Sequence, residues 1–165
     1  MKQPIEELAV RLGQALKGRG WMASTAESCT GGGVAYAITE VSGSSAWFDR
    51  SFITYSNEAK QQMLGVSATT LAQHGAVSGA VVAEMVAGAL AHSLAQVAVA
   101  ISGIAGPDGG TPDKPVGTVW IGWGLTAGQV QTHCHHFAGD RQAVRQQAIA
   151  AALLHLCEAL DTIST

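Results

Sequence analysis

Residues 97–102, Val-Ala-Val-Ala-Ile-Ser, form a short and nearly uninterrupted apolar run that limits the folds open to this chain. Such a run is typical of a strand in a sheet covered on both faces, because a strand with one solvated face alternates apolar and polar residues. The run follows apolar residues at helical spacing, which predict a helix over about residues 79–95. A buried strand directly after a helix favours a sheet with helices packed on it.

Strands and helices alternate along the rest of the chain. Apolar spacing and capping residues predict further helices over about residues 5–16, 34–39, 58–64, 67–75 and 141–160. β-prone runs predict four further strands, the last two joined as a hairpin around Ala127 and Gly128, at about residues 21–26, 51–55, 118–125 and 130–137. This order predicts one domain over residues 1–165, an α/β sandwich with a mixed, mostly parallel five-stranded sheet.

The composition excludes several classes of protein. Only 13% of the residues are charged, against about 25% in an average soluble domain. The hydrophobic content of 47% excludes a disordered chain. A net charge of −3 and a pI near 6.0 provide no basic surface for nucleic acid. The longest apolar stretch, residues 76–106, is interrupted by Glu84, His92 and Gln96, so no membrane span is predicted.

The cysteines and the apolar content also bear on location and assembly. Cys29, Cys134 and Cys157 are an odd number of cysteines without the spacing of a zinc or redox motif. Reduced thiols are typical of the cytoplasm, and we expect the protein there. The high apolar content, with four tryptophans, predicts a homo-oligomer because subunit interfaces cover apolar surface.

Residues 27–33, Glu-Ser-Cys-Thr-Gly-Gly-Gly, join a predicted strand to a predicted helix. Small residues at such a junction leave backbone N–H groups free to bind an anion or to stabilise an oxyanion. Ser28 is a candidate nucleophile, and Cys29 is its rival because a helix N-terminus favours a thiolate. The alternative is a tight turn in which Ser28 merely caps the helix.

A serine nucleophile needs a base, because its hydroxyl is a weak nucleophile at its ordinary pKa. Lys60 is the only lysine between Lys17 and Lys114, and it lies near Tyr55 across the start of a predicted helix. A desolvated lysine with a lowered pKa can take the serine proton, and a tyrosine hydroxyl can relay it. The alternative is that Lys60 is a solvated helix residue, as most lysines are.

The long loop at residues 103–116 directly follows the buried strand. Ligands of α/β sheets bind at the carboxyl ends of strands, which is where this loop begins. Gly106 and Gly109 allow the backbone to approach a ligand closely, three prolines stiffen the loop, and Asp108 can hold a hydroxyl or an amide. We therefore expect a substrate-binding loop rather than an ordinary connection.

Two further polar clusters have less specific patterns. His133 and His135 lie on one face of a predicted strand, but no third ligand is identifiable, so no metal site is predicted. Arg141 and Arg145 lie on one face at the start of the last predicted helix. Both are able to hold a phosphate, and the alternative is a solvated face paired with Asp140.

Five separated segments resemble the motifs of the CinA C-terminal domain family, in the family's order. They are residues 25–32 (TAESCTGG), 54–60 (TYSNEAK), 74–78 (HGAVS), 102–110 (SGIAGPDGG) and 114–119 (KPVGTV). The resemblance extends from about Ile5 to Leu160 and is to the form of the family that carries this domain alone. It implies a three-layer α/β/α fold and hydrolysis of the carboxamide of nicotinamide mononucleotide (NMN) to nicotinate mononucleotide and ammonia.

The resemblance also implies roles for individual residues. The family's catalytic serine, tyrosine and lysine fall on Ser28, Tyr55 and Lys60, and neither a cofactor nor a metal is implied. The resulting hypothesis is a serine amidohydrolase that recycles by-products of pyridine-nucleotide turnover. Its expected substrate-binding residues, for the oxyanion and the ribose phosphate, are Thr30, Gly31, Gly32, Gly106, Asp108, Gly109 and Arg145. The alternative hypothesis is a nucleotide-binding module of the same fold without turnover.

Overall fold

The computed structural model describes residues 3–126 and 128–163, so Ala127 of the predicted hairpin turn lies outside the described residues. Within these ranges the chain forms six α-helices: α1 (Ile5–Arg19), α2 (Gly33–Thr39), α3 (Asn57–Leu64), α4 (Ala68–His74), α5 (Gly79–Ala91) and α6 (Arg141–Asp161). It forms five strands there: β1 (Ala23–Glu27), β2 (Phe48–Ile53), β3 (Val97–Gly103), β4 (Thr118–Leu125) and β5 (Gln131–His136). None of the helices in these ranges is long and apolar enough to cross a membrane.

The five strands form one sheet in the order β2-β1-β3-β4-β5. β1 pairs in parallel with β2 and β3, whereas β4 is antiparallel to β3 and β5. Four of the five described strands therefore run in one direction, which confirms the predicted mixed, mostly parallel sheet. The carboxyl ends of β1, β2 and β3 meet at one edge, where Glu27 is paired with both Ile53 and Ile101.

Helices cover both faces of the sheet. The residues of β3 alternate between two hydrophobic cores, with Val97, Val99 and Ile101 in one and Ala98 and Ala100 in the other. Helices α1, α2 and α6 contribute to the first core, and α3, α4 and α5 contribute to the second. The apolar run is thus buried on both faces, and the implied three-layer α/β/α fold is confirmed.

Side-chain caps begin several helices where the sequence predicted them. The side chains of Ser56, Ser67 and Asp140 accept hydrogen bonds from backbone N–H groups in the first turns of α3, α4 and α6. Each satisfies an N–H group that has no acceptor within the helix. The cap of α3 bears on function, because it fixes where this helix starts and therefore where Lys60 lies.

Two element boundaries differ from the predictions. Helix α5 ends at Ala91 rather than near residue 95, because the backbone N–H groups of Leu94 and Gln96 donate to Asp49 Oδ2 and Met22 O instead. Strand β2 is Phe48–Ile53 rather than residues 51–55, because its pairing with β1 extends back to Ala23 and stops at Glu27. Tyr55 therefore lies beyond the strand.

Candidate active site

A cavity of about 320 Å³ opens at the carboxyl ends of β1, β2 and β3. This is the edge at which α/β sheets bind ligands, and the volume is in the range of small-molecule sites. The sequence-predicted site residues that border it are Ser28, Tyr55, Lys60, Gly106, Asp108 and Gly109. Residues from three separated segments of the chain are thus brought to one place.

Ser28 lies in the cavity wall, directly after β1. Its backbone N–H donates to Ile101 O of β3 at 3.0 Å, and its carbonyl accepts from Gly31 N–H at 3.0 Å. The turn that leads from Ser28 to α2 needs glycine at two positions, because Gly31 and Gly32 have φ values of +59° and +99°. Gly32, with no side-chain cap, is the N-cap of α2, so the alternative in which Ser28 caps this helix is wrong.

Lys60 contacts Ser28 directly. Its Nζ donates to Ser28 Oγ at 3.1 Å and to Thr54 O at 2.8 Å, and the residue is only 1% exposed. Burial disfavours the charged ammonium and lowers the pKa of Lys60 below its ordinary value. The alternative of a solvated Lys60 is therefore wrong. A neutral amine at this distance from a serine hydroxyl is able to accept its proton.

Tyr55 lies at the rim of the same cavity. Tyr55 is 65% exposed, and its hydroxyl accepts a hydrogen bond from Arg141 Nη2 at 3.3 Å. Tyr55 is thus placed to meet a ligand that enters the cavity, whereas the Ser28–Lys60 contact lies deeper. This arrangement fits a role beside the reacting group rather than at the nucleophile itself.

Cys29 is placed unfavourably for a rival nucleophile. The residue is 6% exposed, and burial raises the pKa of its thiol to about 11. Desolvation outweighs the backbone hydrogen bond at Cys29 and the charge of Arg145, both of which lower this pKa, so the expected thiolate is disfavoured. At neutral pH the thiol is protonated and weakly nucleophilic.

The remaining predicted site residues lie in the turn or on α6 and do not border the cavity. Thr30 is fully buried and its hydroxyl donates to Glu27 Oε1, while Gly31 N–H is occupied by Ser28 O. The Arg145 guanidinium donates to the carbonyls of Cys29 and Thr30. The structure therefore does not bring Thr30, Gly31, Gly32 and Arg145 to the cavity that Ser28 borders.

Three polar residues at the cavity, Asn57, Ser102 and Arg141, were not among the expected site residues, although Arg141 was named with Arg145 as able to hold a phosphate. Arg141 borders the cavity and its Nη1 donates to Gly106 O at 2.9 Å, and buried Ser102 lies at the end of β3. The signal for Arg141 was its place at the start of α6. Strand β5 runs parallel to β3, so the helix that follows it begins at the carboxyl edge, and Arg145 lies one turn farther along.

The buried side chain of Glu27 supports the turn that follows β1. Glu27 is fully buried at the end of β1, and its two oxygens accept hydrogen bonds from the hydroxyls of Thr25, Thr30 and Ser51 and the backbone N–H groups of Val34 and Ala35. These donors satisfy the buried charge and join β1, β2, the turn and the start of α2.

The predicted histidine face gains a third imidazole from α6. The Nε2 atoms of His135 and His155 are 2.9 Å apart, and the ring of His155 stacks on Trp123 with a centroid distance of 3.9 Å. Burial, with His135 and His133 nearby, lowers the pKa of His155 to about 4. Across residues 3–126 and 128–163, no group of three or more His, Cys, Asp and Glu side chains has an arrangement able to hold a metal ion.

The fold and the cavity define a class: a three-layer α/β protein with a buried serine–lysine pair at the carboxyl ends of parallel strands. The family model of the CinA C-terminal domain matches residues 5–160. The chain belongs to the CinA C-terminal domain family.

Named relatives cover nearly the whole chain. "Nicotinamide-nucleotide amidohydrolase PncC" of Escherichia coli K12 is 60% identical over 90% of this chain and 90% of its own length. The protein of the same name from Pseudomonas putida is 55% identical over 91% of this chain and 93% of its own. A crystal structure of competence/damage inducible protein CihA from Agrobacterium tumefaciens superimposes with a TM-score of 0.93 at 45% identity, covering 98% of this chain and all of that one.

Proposed function

We propose that this protein is a serine amidohydrolase that converts NMN to nicotinate mononucleotide and ammonia. The observation that carries the proposal is the 3.1 Å contact between Lys60 Nζ and Ser28 Oγ, two buried residues that border the cavity. The substrate comes from the relatives at 55–60% identity, which are named for amidohydrolysis of nicotinamide nucleotide. The buried pair supplies a nucleophile and a base suited to attack on a carboxamide.

The first half of the reaction forms an acyl-enzyme. Ser28 Oγ attacks the carboxamide carbon while neutral Lys60 takes the hydroxyl proton. Ser28 O accepts from Gly31 N–H, so Cys29 N–H, in the same trans peptide, points the opposite way and is the proposed oxyanion donor. The tetrahedral intermediate then collapses, the C–N bond breaks, and Lys60, assisted by Tyr55, delivers the proton with which ammonia leaves.

The second half releases the acid. Water attacks the ester carbon and gives a proton to Lys60, and the second intermediate collapses with cleavage of the bond to Ser28 Oγ. Lys60 returns the proton to Ser28, so the enzyme is regenerated, and the product acid releases its remaining proton to solvent and leaves as the nicotinate mononucleotide carboxylate. Lys60 thus alternates between base and acid, which requires a pKa closer to neutral than that of a solvated lysine.

The remainder of the nucleotide is proposed to lie along the cavity rim. Asp108 is suited to the ribose hydroxyls, the glycine backbone at Gly106 and Gly109 allows close approach, and Arg141 is the cation at the rim for a phosphate. Three of the expected binding residues, Thr30, Gly31 and Gly32, then form the turn that holds Ser28, and Arg145 supports that turn from α6 rather than touching the ligand.

We also propose a cellular setting for this activity. Deamidation of NMN fits a role in pyridine-nucleotide recycling, carried out in the cytoplasm by one domain that spans residues 1–165. The three cysteines are free thiols, which is compatible with a reducing compartment. Exposed Tyr36, Ile53 and Leu154 favour a homo-oligomer, which sedimentation analysis would test directly.

Ammonia release on incubation with NMN tests the activity. We expect release by the wild type and its reduction by about 10³-fold or more in Ser28→Ala, because the covalent route is lost. Cys29→Ala is the matched control at the neighbouring residue and should retain most of the activity. Undiminished activity in Ser28→Ala would refute the nucleophile, and calorimetric binding of NMN without ammonia release would instead identify a binding module.

A further inference from the structure

Arg145 is tied to the backbone of the nucleophile turn. Its Nε donates to Cys29 O at 3.0 Å and its Nη2 donates to Thr30 O at 3.2 Å. The side chain reaches from α6 across 115 to 116 residues of sequence to two successive carbonyls. The planar fork of a guanidinium matches such a pair of acceptors, whereas a lysine ammonium is a single point charge.

The turn needs support from outside itself. Gly31 and Gly32 lack side chains that could pack against the body of the protein, and glycine has the greatest backbone freedom. On the side before the turn, Ser28 N–H is held by Ile101 O of β3. The guanidinium of Arg145 on α6 holds the carbonyls of Cys29 and Thr30, the two residues between Ser28 and the glycines. Ser28 is therefore fixed between the sheet and α6.

The charge of Arg145 also acts at this turn. Burial raises the pKa of the Cys29 thiol, whereas the guanidinium of Arg145 lowers it and so favours the thiolate. The same field favours the negative charge that develops on an oxyanion bound beside Ser28. Thus one side chain, which does not border the Ser28 cavity, both orients the turn and biases its electrostatic potential.

We propose that Arg145 is a positioning residue for Ser28 that acts through the carbonyls of Cys29 and Thr30. This inference rests on the proposed function only in taking Ser28 as the nucleophile. Loss of the guanidinium lowers the rate of the chemical step, because Ser28 Oγ and the turn amides leave their reactive geometry. Substrate affinity changes little, since no group is removed from the cavity that holds the ligand.

A second space gives access to Arg145 from solvent. Arg145 borders a cavity of about 610 Å³ between α1, α2 and α6, together with Tyr36, Gln146 and Ile149. A free guanidinium ion is able to enter this cavity and occupy the place of a truncated side chain. Rescue of activity by guanidinium therefore separates a positional role of the arginine from a general loss of stability.

The test compares Arg145→Ala and Arg145→Lys with Gln146→Ala, a control on the next residue of α6 that borders the same cavity. For Arg145→Ala we expect kcat on NMN to fall about 100-fold, the scale of a 1 Å displacement of reacting groups, while KM stays nearly constant. Arg145→Lys should recover only part of the rate. Guanidinium chloride in the millimolar range should raise kcat of Arg145→Ala several-fold, whereas urea and sodium chloride should not.

A substrate-independent assay separates this inference from the proposed function. A fluorophosphonate labels a serine nucleophile by forming an O–P bond as fluoride leaves and the hydroxyl proton passes to the base. Slower labelling of Ser28 in Arg145→Ala, restored by guanidinium, supports the inference even if NMN is not hydrolysed. A large rise in KM with kcat unchanged, or labelling at the wild-type rate in a folded variant, would overturn it.

Discussion

Lys60 and His155 are both basic side chains whose pKa values are lowered by burial, yet they lie in different chemical settings. Lys60 reaches a serine hydroxyl and a backbone carbonyl at the wall of a cavity. His155 lies between a tryptophan ring and the imidazoles of His133 and His135, on the side of the sheet where the strands are antiparallel. A lowered pKa therefore reports burial in both places.

The difference lies in what the neutral base faces. Beside Lys60 there is the hydroxyl of Ser28 and an opening for a ligand at the carboxyl ends of three parallel strands. Beside His155 there is another imidazole with its Nε2 atom at 2.9 Å and, at 4.0 Å from its Nδ1 atom, the carboxylate of Glu158, and neither group is a hydroxyl or thiol that His155 could activate. A candidate base becomes catalytic through its partner and its access, and the predictions that follow test this contrast.

The largest effect is expected from Lys60→Met, which keeps an unbranched side chain but removes the amine. We expect kcat/KM for NMN to fall about 10³- to 10⁴-fold, the range for losing a general base. In the wild type, activity should rise with pH as Lys60 loses its proton, and this limb should lie below the ordinary pKa of lysine. Steady-state assays across pH measure both effects.

Lys60→Arg provides the matched control, because it restores a cation of similar length that does not deprotonate in the assay range. It should be as inactive as Lys60→Met. Substantial activity in either variant would show that the buried pair is structural and would remove the contrast with His155.

A smaller effect is expected from Tyr55→Phe, since Tyr55 lies at the rim rather than in the buried pair. Loss of its hydroxyl should reduce kcat about 10- to 100-fold, as expected for an assisting proton donor. Its contact with Arg141 is weak at 3.3 Å, so folding stability should hardly change. An unchanged kcat together with a raised KM would instead assign Tyr55 to binding alone.

The smallest effect on activity is expected from His155→Gln, but it should alter how stability depends on pH. The folded-state pKa is about 4 and that of the unfolded chain about 6.5, so between these values only the unfolded chain binds the proton. The contribution of neutral His155 to the free energy of unfolding is therefore fully present above pH 6.5 and is lost as pH falls through 4. Its size is on the order of 2 kcal/mol, given 1.4 kcal/mol for each unit of pKa shift and the partly exposed ring.

Denaturant titrations of the wild type and His155→Gln between pH 4 and 7 measure this contribution. The variant should show a flatter dependence on pH, while ammonia release at pH 7.5 stays near the wild-type value. A parallel pH dependence in the two proteins, or a loss of activity comparable to that of Lys60→Met, would contradict the division between the two regions.

Much of the fold was predictable because its signals are local. The apolar run at residues 97–102, the helical spacing before it and the caps at Ser56, Ser67 and Asp140 each depend on near neighbours in sequence. The end of α5 was missed because the acceptors of the next N–H groups, Asp49 Oδ2 and Met22 O, come from distant segments. Boundaries of this kind depend on tertiary contacts.

The candidate site divides in the same way. The motifs identify Ser28, Lys60 and the glycine loops as candidates, because each lies in a short segment with a distinctive local sequence. The choice between Arg141 and Arg145 required the helix to be placed on the sheet, because both lie on one helical face and only the first borders the cavity. The contact between His155 and His135 could likewise not be predicted from the sequence, in which the two residues are 20 positions apart.

Local sequence signals thus account for the order of strands and helices, the glycine-rich turn after β1 and the residue types available for catalysis. Which of these residues act on one another depends on the tertiary packing. Packing buries Lys60 against Ser28, raises the pKa of the Cys29 thiol by desolvation, and directs Arg145 toward backbone carbonyls. The physical reason is that solvation and distance, which set pKa values and hydrogen bonds, are properties of the packed layers rather than of any one segment.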